Sequence, residues 1–282
     1  LRFLPDLPEG LEKLVIGDCG FSSLPELPSS LRSLTIRKTR GLRKLPKLPE
    51  GLVKLDISNT FIRKLPNLPS TLEELILYQF SEEKILPKLP PSLKVLDIKY
   101  SAIDELPPLP EGLLRLNITG CRDIEYLPRL PSTLEYLVAE VTDSLQCLPE
   151  LPKSLRLLNI NHTPCITELP ELPPKLITLN MAYSNIFNIP YIPDSLKQLC
   201  VNNCANLIIQ PIEGQSIQQY NECWGKVRQE QRAKAIKKEL YARVMFHPNI
   251  LAKIIKVIPE DEDPDKYFED EDFKMKIMNL NI

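Results

Sequence analysis

The chain has 282 residues, a net charge of −2 and 43% hydrophobic residues, enough apolar material for an ordinary packed domain or two. So small a net charge gives no general attraction to nucleic acid or to a membrane surface. No apolar run approaches the ~20 residues that a helix needs to cross a bilayer, so no membrane-spanning helix is expected.

Residues 1–3 begin in the middle of a repeat, with no initiator Met and no N-terminal cap. An uncapped solenoid end exposes its core, so the chain reads as a fragment of a longer protein or as one with a frayed first repeat. The wording Leu-Pro-x-Leu-Pro then begins at Leu4, Leu24, Leu45, Leu65, Leu86, Leu106, Leu127, Leu148 and Leu169, with the variant Ile189-Pro190-Tyr191-Ile192-Pro193. The steps are 20 or 21 residues throughout. A fixed period of this length is the signature of a solenoid.

Each copy continues with L-x-x-L-x-[IL], as in Leu52-Leu55-Ile57, Leu113-Leu116-Ile118 and Leu155-Leu158-Ile160. The last two apolar residues are two apart, so on a strand they point to one face. One short strand cannot bury that face alone, and stacked copies form a parallel sheet over a continuous core. A short residue follows at the turn leaving each strand: Cys19, Thr39, Thr60, Ser101, Cys121, Thr142, Thr163, Ser184 and Cys204, with Phe80 as the exception. Placed inward, such residues can bond backbone groups of the neighbouring turn. An apolar plug then returns to the core, as at Leu42, Ile62, Ile103 and Ile186.

Of the 28 prolines, twenty lie in the ten repeat units. Two prolines in five residues leave no room for a helix, so the convex side is expected to be extended, close to polyproline II. The expected fold is an α/β solenoid: a right-handed, short-period horseshoe with a parallel concave sheet, an extended convex wall and a helical C-terminal cap. The solenoid is assigned to 1–210, as about ten repeats, and a helical region with an acidic tail to 211–282.

In that second region, 216–246 reads as a helix with Ile236, Leu240 and Val244 on one stripe, ended by His247-Pro248. A second helix is read over 249–258. Between Lys226 and Lys256 nine Lys or Arg face two acids, and between Glu260 and Asp272 nine acids face one Lys. The basic helix 224–246 is the only candidate for nucleic acid or membrane, and its first role is read as capping the last repeat.

These repeats resemble the leucine-rich repeats, and within them the LPX-type repeats of bacterial effector proteins. The wording also looks like the FNIP repeats of social amoebae and giant DNA viruses, and Phe187-Asn188-Ile189-Pro190 spells that name once. The Tyr241–Ile258 stretch looks like tails on repeat proteins of such viruses. The likeness covers about residues 1–210; Thr, Ser or Cys replaces the usual Asn after the strand. It implies protein binding without catalysis. It also implies an alternative, the substrate-recognition part of a ubiquitin-ligase assembly, or a pathogen or viral effector acting on host proteins.

Many LPX-repeat effectors carry a ligase domain with a Cys-x-Asp nucleophile. Here the only Cys-x-Asp is Cys121-Arg122-Asp123, whose cysteine falls at the inward turn, where a thiol stays protonated. Asp261, Asp263, Asp265 and Asp272 have the spacing of a calcium loop, but Lys266 stands where its glycine is needed and Pro264 interrupts it. No catalytic residue, metal site, cofactor or small-molecule substrate is therefore expected. The odd count of seven cysteines, three at inward turns, fits a reducing, cytoplasmic compartment, including the inside of a host cell.

The strand positions that alternate with the core leucines form the best candidate site. Among them Ile76, Tyr78, Val95, Tyr136 and Val138, with Tyr100 at the following turn, have no packing role in the repeat. Exposed tyrosines beside aliphatic residues are the make-up of a protein interface. Lys54, Lys99 and Arg115 lie beside them and would orient the partner.

Overall fold

A computed structural model describes residues 4–80, 84–208, 218–223 and 225–227. Ten strands follow one another: β1 (Lys13–Gly17), β2 (Ser33–Arg37), β3 (Lys54–Ser58), β4 (Glu74–Tyr78), β5 (Val95–Lys99), β6 (Arg115–Asn117), β7 (Tyr136–Val138), β8 (Leu157–Asn159), β9 (Thr178–Asn180) and β10 (Gln198–Cys200). All lie in one parallel sheet in sequence order, each strand belonging to one coil of a solenoid. The expected strands are thus all formed.

The register follows from the leucines. Leu34 stands opposite Leu14 and Leu55, Leu96 opposite Leu75 and Leu116, and Leu158 opposite Leu137 and Leu179. From coil 2 to coil 9 this leucine ladder is buried, as is the parallel row from Ile36 to Met181. The plugs Phe21, Leu42, Ile62, Ile103, Ile124, Leu145, Ile166 and Ile186 close the core from the other side. At roughly 0.8 kcal/mol per buried methylene, each coil contributes several kcal/mol that it could not gain alone.

The outer wall has no helix among the described residues of 4–208. Its second proline instead opens a tight turn. In every coil that proline's carbonyl accepts the N–H of the first leucine, as from Leu52 to Pro49 and from Leu113 to Pro110, both at 3.0 Å. A hydroxyl one residue before that leucine crosses to the preceding coil: Ser92 to Leu72 O at 2.7 Å, Ser154 to Leu134 O at 2.7 Å and Ser195 to Leu176 O at 2.7 Å. The carbonyls so reached lie where the backbone leaves the wall for the sheet, so polar groups there are satisfied between coils.

At the sheet's other edge, one residue per coil takes the left-handed conformation. These are Asp18, Lys38, Asn59, Gln79, Tyr100, Val141, His162, Tyr183 and Asn203, with φ between 51° and 57°, and Gly120 at 72°. Nearly all of these N–H groups donate to the next coil's carbonyl, as from Tyr100 to Thr119 and from Gly120 to Glu140, both at 2.8 Å. The coil-to-coil hydrogen bonds therefore hold a backbone form that few of these residue types favour.

The inward turn residues are buried from Thr39 to Cys204, Phe80 included. Their bonding differs in part from expectation. Thr142, Thr163 and Ser184 donate to the carbonyl three residues earlier in their own coil. Ser101, Cys121 and Cys204 do reach the preceding coil: Ser101 accepts from Phe80 N–H, and the two thiols donate to Ile98 O and Met181 O.

The chain divides into two compact units, Leu1–Asn221 and Glu222–Ile282. Residues 218–223 and 225–227 are helical. Within the first unit Asn221 exchanges two hydrogen bonds with the Ile192 backbone, at 2.9 and 2.8 Å. Tyr220 beside it is buried, which pushes its hydroxyl up to about 12. The predicted stripe Ile236–Leu240–Val244, most of the basic helix, the second helix and the acidic run lie outside the described residues.

Candidate functional site

The solvent face of the sheet consists of three columns of side chains, one per alternate strand position. Lys54, Glu74, Val95, Arg115 and Tyr136 form the first column across β3–β7. Asp56, Ile76, Asp97, Asn117 and Val138 form the second. Ser58, Tyr78 and Lys99 form the third. All nine predicted site residues therefore fall on neighbouring strands or on the turn beyond them.

They do not form one apolar sheet patch. Ile76 stands between Asp56 and Asp97, and Tyr136 stands beside Arg115 rather than beside Val95. Two aromatic foci result. Tyr78 meets Tyr100 edge-on, with ring centroids 5.6 Å apart at 71°. The Arg115 guanidinium lies 4.9 Å over the Tyr136 ring. Tyr100 is 49% exposed, although its ring is placed by the coil beneath it.

The three predicted cations are already engaged. Lys54 meets Glu74 at 2.6 Å and Lys99 meets Asp97 at 3.1 Å, while Arg115 holds Tyr136. The Lys54–Glu74 pair is partly exposed, so it is worth ~0–1 kcal/mol and can be traded for a partner's groups, whereas Asp97 is only 22% exposed and its pair with Lys99 is the more sheltered. Asp56 differs from the other acids: its side chain is 1% exposed. It lies beneath Arg37 at 2.6 Å and accepts the Ser58 hydroxyl at 2.8 Å, so it supports the face and does not present itself there.

One feature of this edge was not read from the sequence. His162 and Tyr183 stack with centroids 4.3 Å apart and planes at 6°. They are one period apart and occupy the same left-handed position, which was the available signal.

Cys121 is buried, its thiol donates to Ile98 O at 3.1 Å, and burial chiefly pushes its pKa up to about 11. A thiol held protonated in this way is a poor nucleophile at neutral pH. Among the described residues no cluster of His, Cys, Asp or Glu could hold a metal ion.

No protein-family model matches the sequence. A comparison with curated proteins likewise finds no match. Among solved structures the chain is similar to YopM from Yersinia enterocolitica WA-314, at 33% identity and a TM-score of 0.58, over 74% of this chain and 51% of that one. The fold is a leucine-rich-repeat horseshoe. YopM from Yersinia pestis, described as a leucine-rich effector protein, is similar at 27% identity and a TM-score of 0.30, over 71% of this chain and 80% of that one. The chain thus spans about half the length of the Y. enterocolitica protein.

Proposed function

We propose that the chain is a non-enzymatic interaction module that holds a protein partner on its concave sheet, across coils 4–7. The observation that carries this reading is the pair of aromatic foci, Tyr78 on Tyr100 and Tyr136 beneath Arg115, on the solvent face of rigid strands. Tyrosine supplies contact area at little cost in lost rotamers, and its hydroxyl remains free to bond. Ile76 shares the strand of Tyr78, Val138 shares the strand of Tyr136, and Val95 stands beside Arg115, all three half-buried. Ten strands at ~4.8 Å spacing give a face ~45 Å long, ample for an interface of roughly 800 Å² per partner.

The fold shared with YopM from Y. enterocolitica supports a binding role, since a solenoid of this kind presents an extended concave surface. The LPX-type wording agrees with it. On this reading the chain works in the cytoplasm, including that of a host cell, with the seven cysteines free. The test uses the full chain as bait, beside a Tyr78→Ala/Tyr136→Ala double variant. The captured partner should bind the variant at least tenfold more weakly, or about 1.4 kcal/mol. The melting temperature should not change. Equal binding by both would move the site off this face.

A further inference from the structure

Besides the central foci, coils 1–5 share a depression at the left-handed edge of the sheet. It is lined by Asp18, Lys38, Arg40, Asn59, Phe61 and Tyr100, among others. Phe61 is out of character with its place. The equivalent positions of other coils hold Arg40, Ala102, Arg122, Asp143 and Asn185, all small or polar. The plug Ile62 beside it is buried, so the core does not need Phe61, yet this ring stands 43% exposed. The Tyr100 ring, 49% exposed, lines the depression as well, two coils further on.

Two cations, Lys38 and Arg40, line the depression against one carboxylate, Asp18. Arg40 has no ion pair among the described residues, and Lys38 reaches Asp18 only at 4.0 Å, with both side chains exposed. A pair so loose and so exposed is worth close to nothing and leaves Lys38 available.

We propose that this depression seats an acidic peptide segment carrying an aromatic or aliphatic side chain. The apolar side chain enters between Phe61 and Tyr100, and carboxylates on either side of it meet Arg40 and Lys38. Asn59 and Gln79 on the same wall present amide groups to the peptide backbone. Asp18 weighs against a nucleic acid, because a run of phosphates would pass a carboxylate with only two cations in compensation. This inference rests on the reading of the chain as a protein-binding module, but it places a second contact outside the Tyr136 focus.

The test uses the full chain and a fluorescein-labelled twelve-residue peptide of Asp and Glu around a central Leu-Phe. Three controls accompany it: Gly-Gly in place of Leu-Phe, Asn and Gln in place of the acids, and a labelled oligothymidylate of the same length. Binding is read by fluorescence anisotropy at physiological salt. The Leu-Phe acidic peptide should bind at least tenfold more tightly than each control. Arg40→Glu and Phe61→Ser, both on exposed side chains, should each weaken it at least tenfold, and Tyr126→Ala, on an exposed ring outside both contacts, should leave it unchanged. No binding, equal binding of the Gly-Gly peptide, or tighter binding of the oligonucleotide would overturn the proposal. So would a loss with Tyr126→Ala matching that with Phe61→Ser, which would leave the concave-face reading intact. Conversely, a partner indifferent to Tyr78→Ala/Tyr136→Ala but lost with Phe61→Ser would sink that reading and keep this one.

Discussion

The ring of Tyr100 lies over the bare Cα of Gly120: a Cβ built on that glycine would come within 2.4 Å of the ring's Cδ1. Gly120 also holds φ at 72°, so two separate demands select glycine there. Gly120→Ala should therefore cost more than the ~1–2 kcal/mol of a left-handed alanine. It should also displace Tyr100 from Tyr78. In a Tyr100→Ala background the same change should fall back to the backbone cost alone. Denaturant melts of the four proteins measure this coupling; strictly additive effects would show that the ring does not sense the glycine.

Leu116 is 1% exposed and stands between Leu96 and Leu137 on the two neighbouring strands. Leu116→Ala should cost roughly 2–5 kcal/mol, the lost transfer energy plus the cavity left between coils. Pro110, half-buried on the outer wall, has its carbonyl in the turn and not its ring in the core, so Pro110→Ala should cost far less. A near-neutral Leu116→Ala in urea melts would refute the ladder register.

Val141 has φ at 53°, a conformation that its branched Cβ disfavours. The N–H bond from Val141 to Asn161 O, 3.0 Å long, holds it there. Asn tolerates this region and keeps the same N–H, so Val141→Asn should raise stability by ~1 kcal/mol. A lowered melting midpoint would mean that the Val141 side chain packs for more than its strain.

The repeat made the fold legible because each coil states both requirements itself. Leu55 and Ile57, two apart, define a strand face, and Pro46 and Pro49 keep the wall from becoming a helix. The left-handed column was not legible, since Asp18, Lys38, Gln79, Val141 and Tyr183 have no chemistry in common. The conformation there is imposed by a hydrogen bond to the next coil, which no single repeat contains. The site was legible only as columns. That Tyr78 and Tyr100 lie on one face follows from the period, but their edge-on contact depends on Gly120. That Asp56 sinks beneath Arg37 depends on its short stem between Thr35 and Ile76.

Cys121 gives a pH dependence of definite sign. Its folded pKa, about 11, lies above the ordinary thiol value of 9.0, chiefly through burial. The folded state therefore keeps a proton that the unfolded state releases in this window. The associated stability is whole below pH 9 and is lost as pH rises toward 11, by up to ~1.4 kcal/mol per pH unit. Cys121→Ser, whose hydroxyl does not titrate, should show a shallower decline than the parent over that range. Parallel curves for the two proteins would show that the thiol does not contribute.

Lys99 is paired with Asp97 at 3.1 Å and stands next to Tyr78 in the third column, while the ring itself supplies the buried area. An exposed cation of this kind acts at a distance, so it governs encounter more than lifetime. Lys99→Ala should leave stability within ~1 kcal/mol of the parent. It should slow association of a captured acidic partner several-fold at low salt, and much less once ~0.5 M salt screens the charge. Dissociation should hardly change, in contrast to Tyr78→Ala, which should speed it. Surface plasmon resonance separates the two rates. A Lys99→Ala protein that associates normally but dissociates faster would place the lysine inside the contact, against Asp97 and the partner together, and not at its rim.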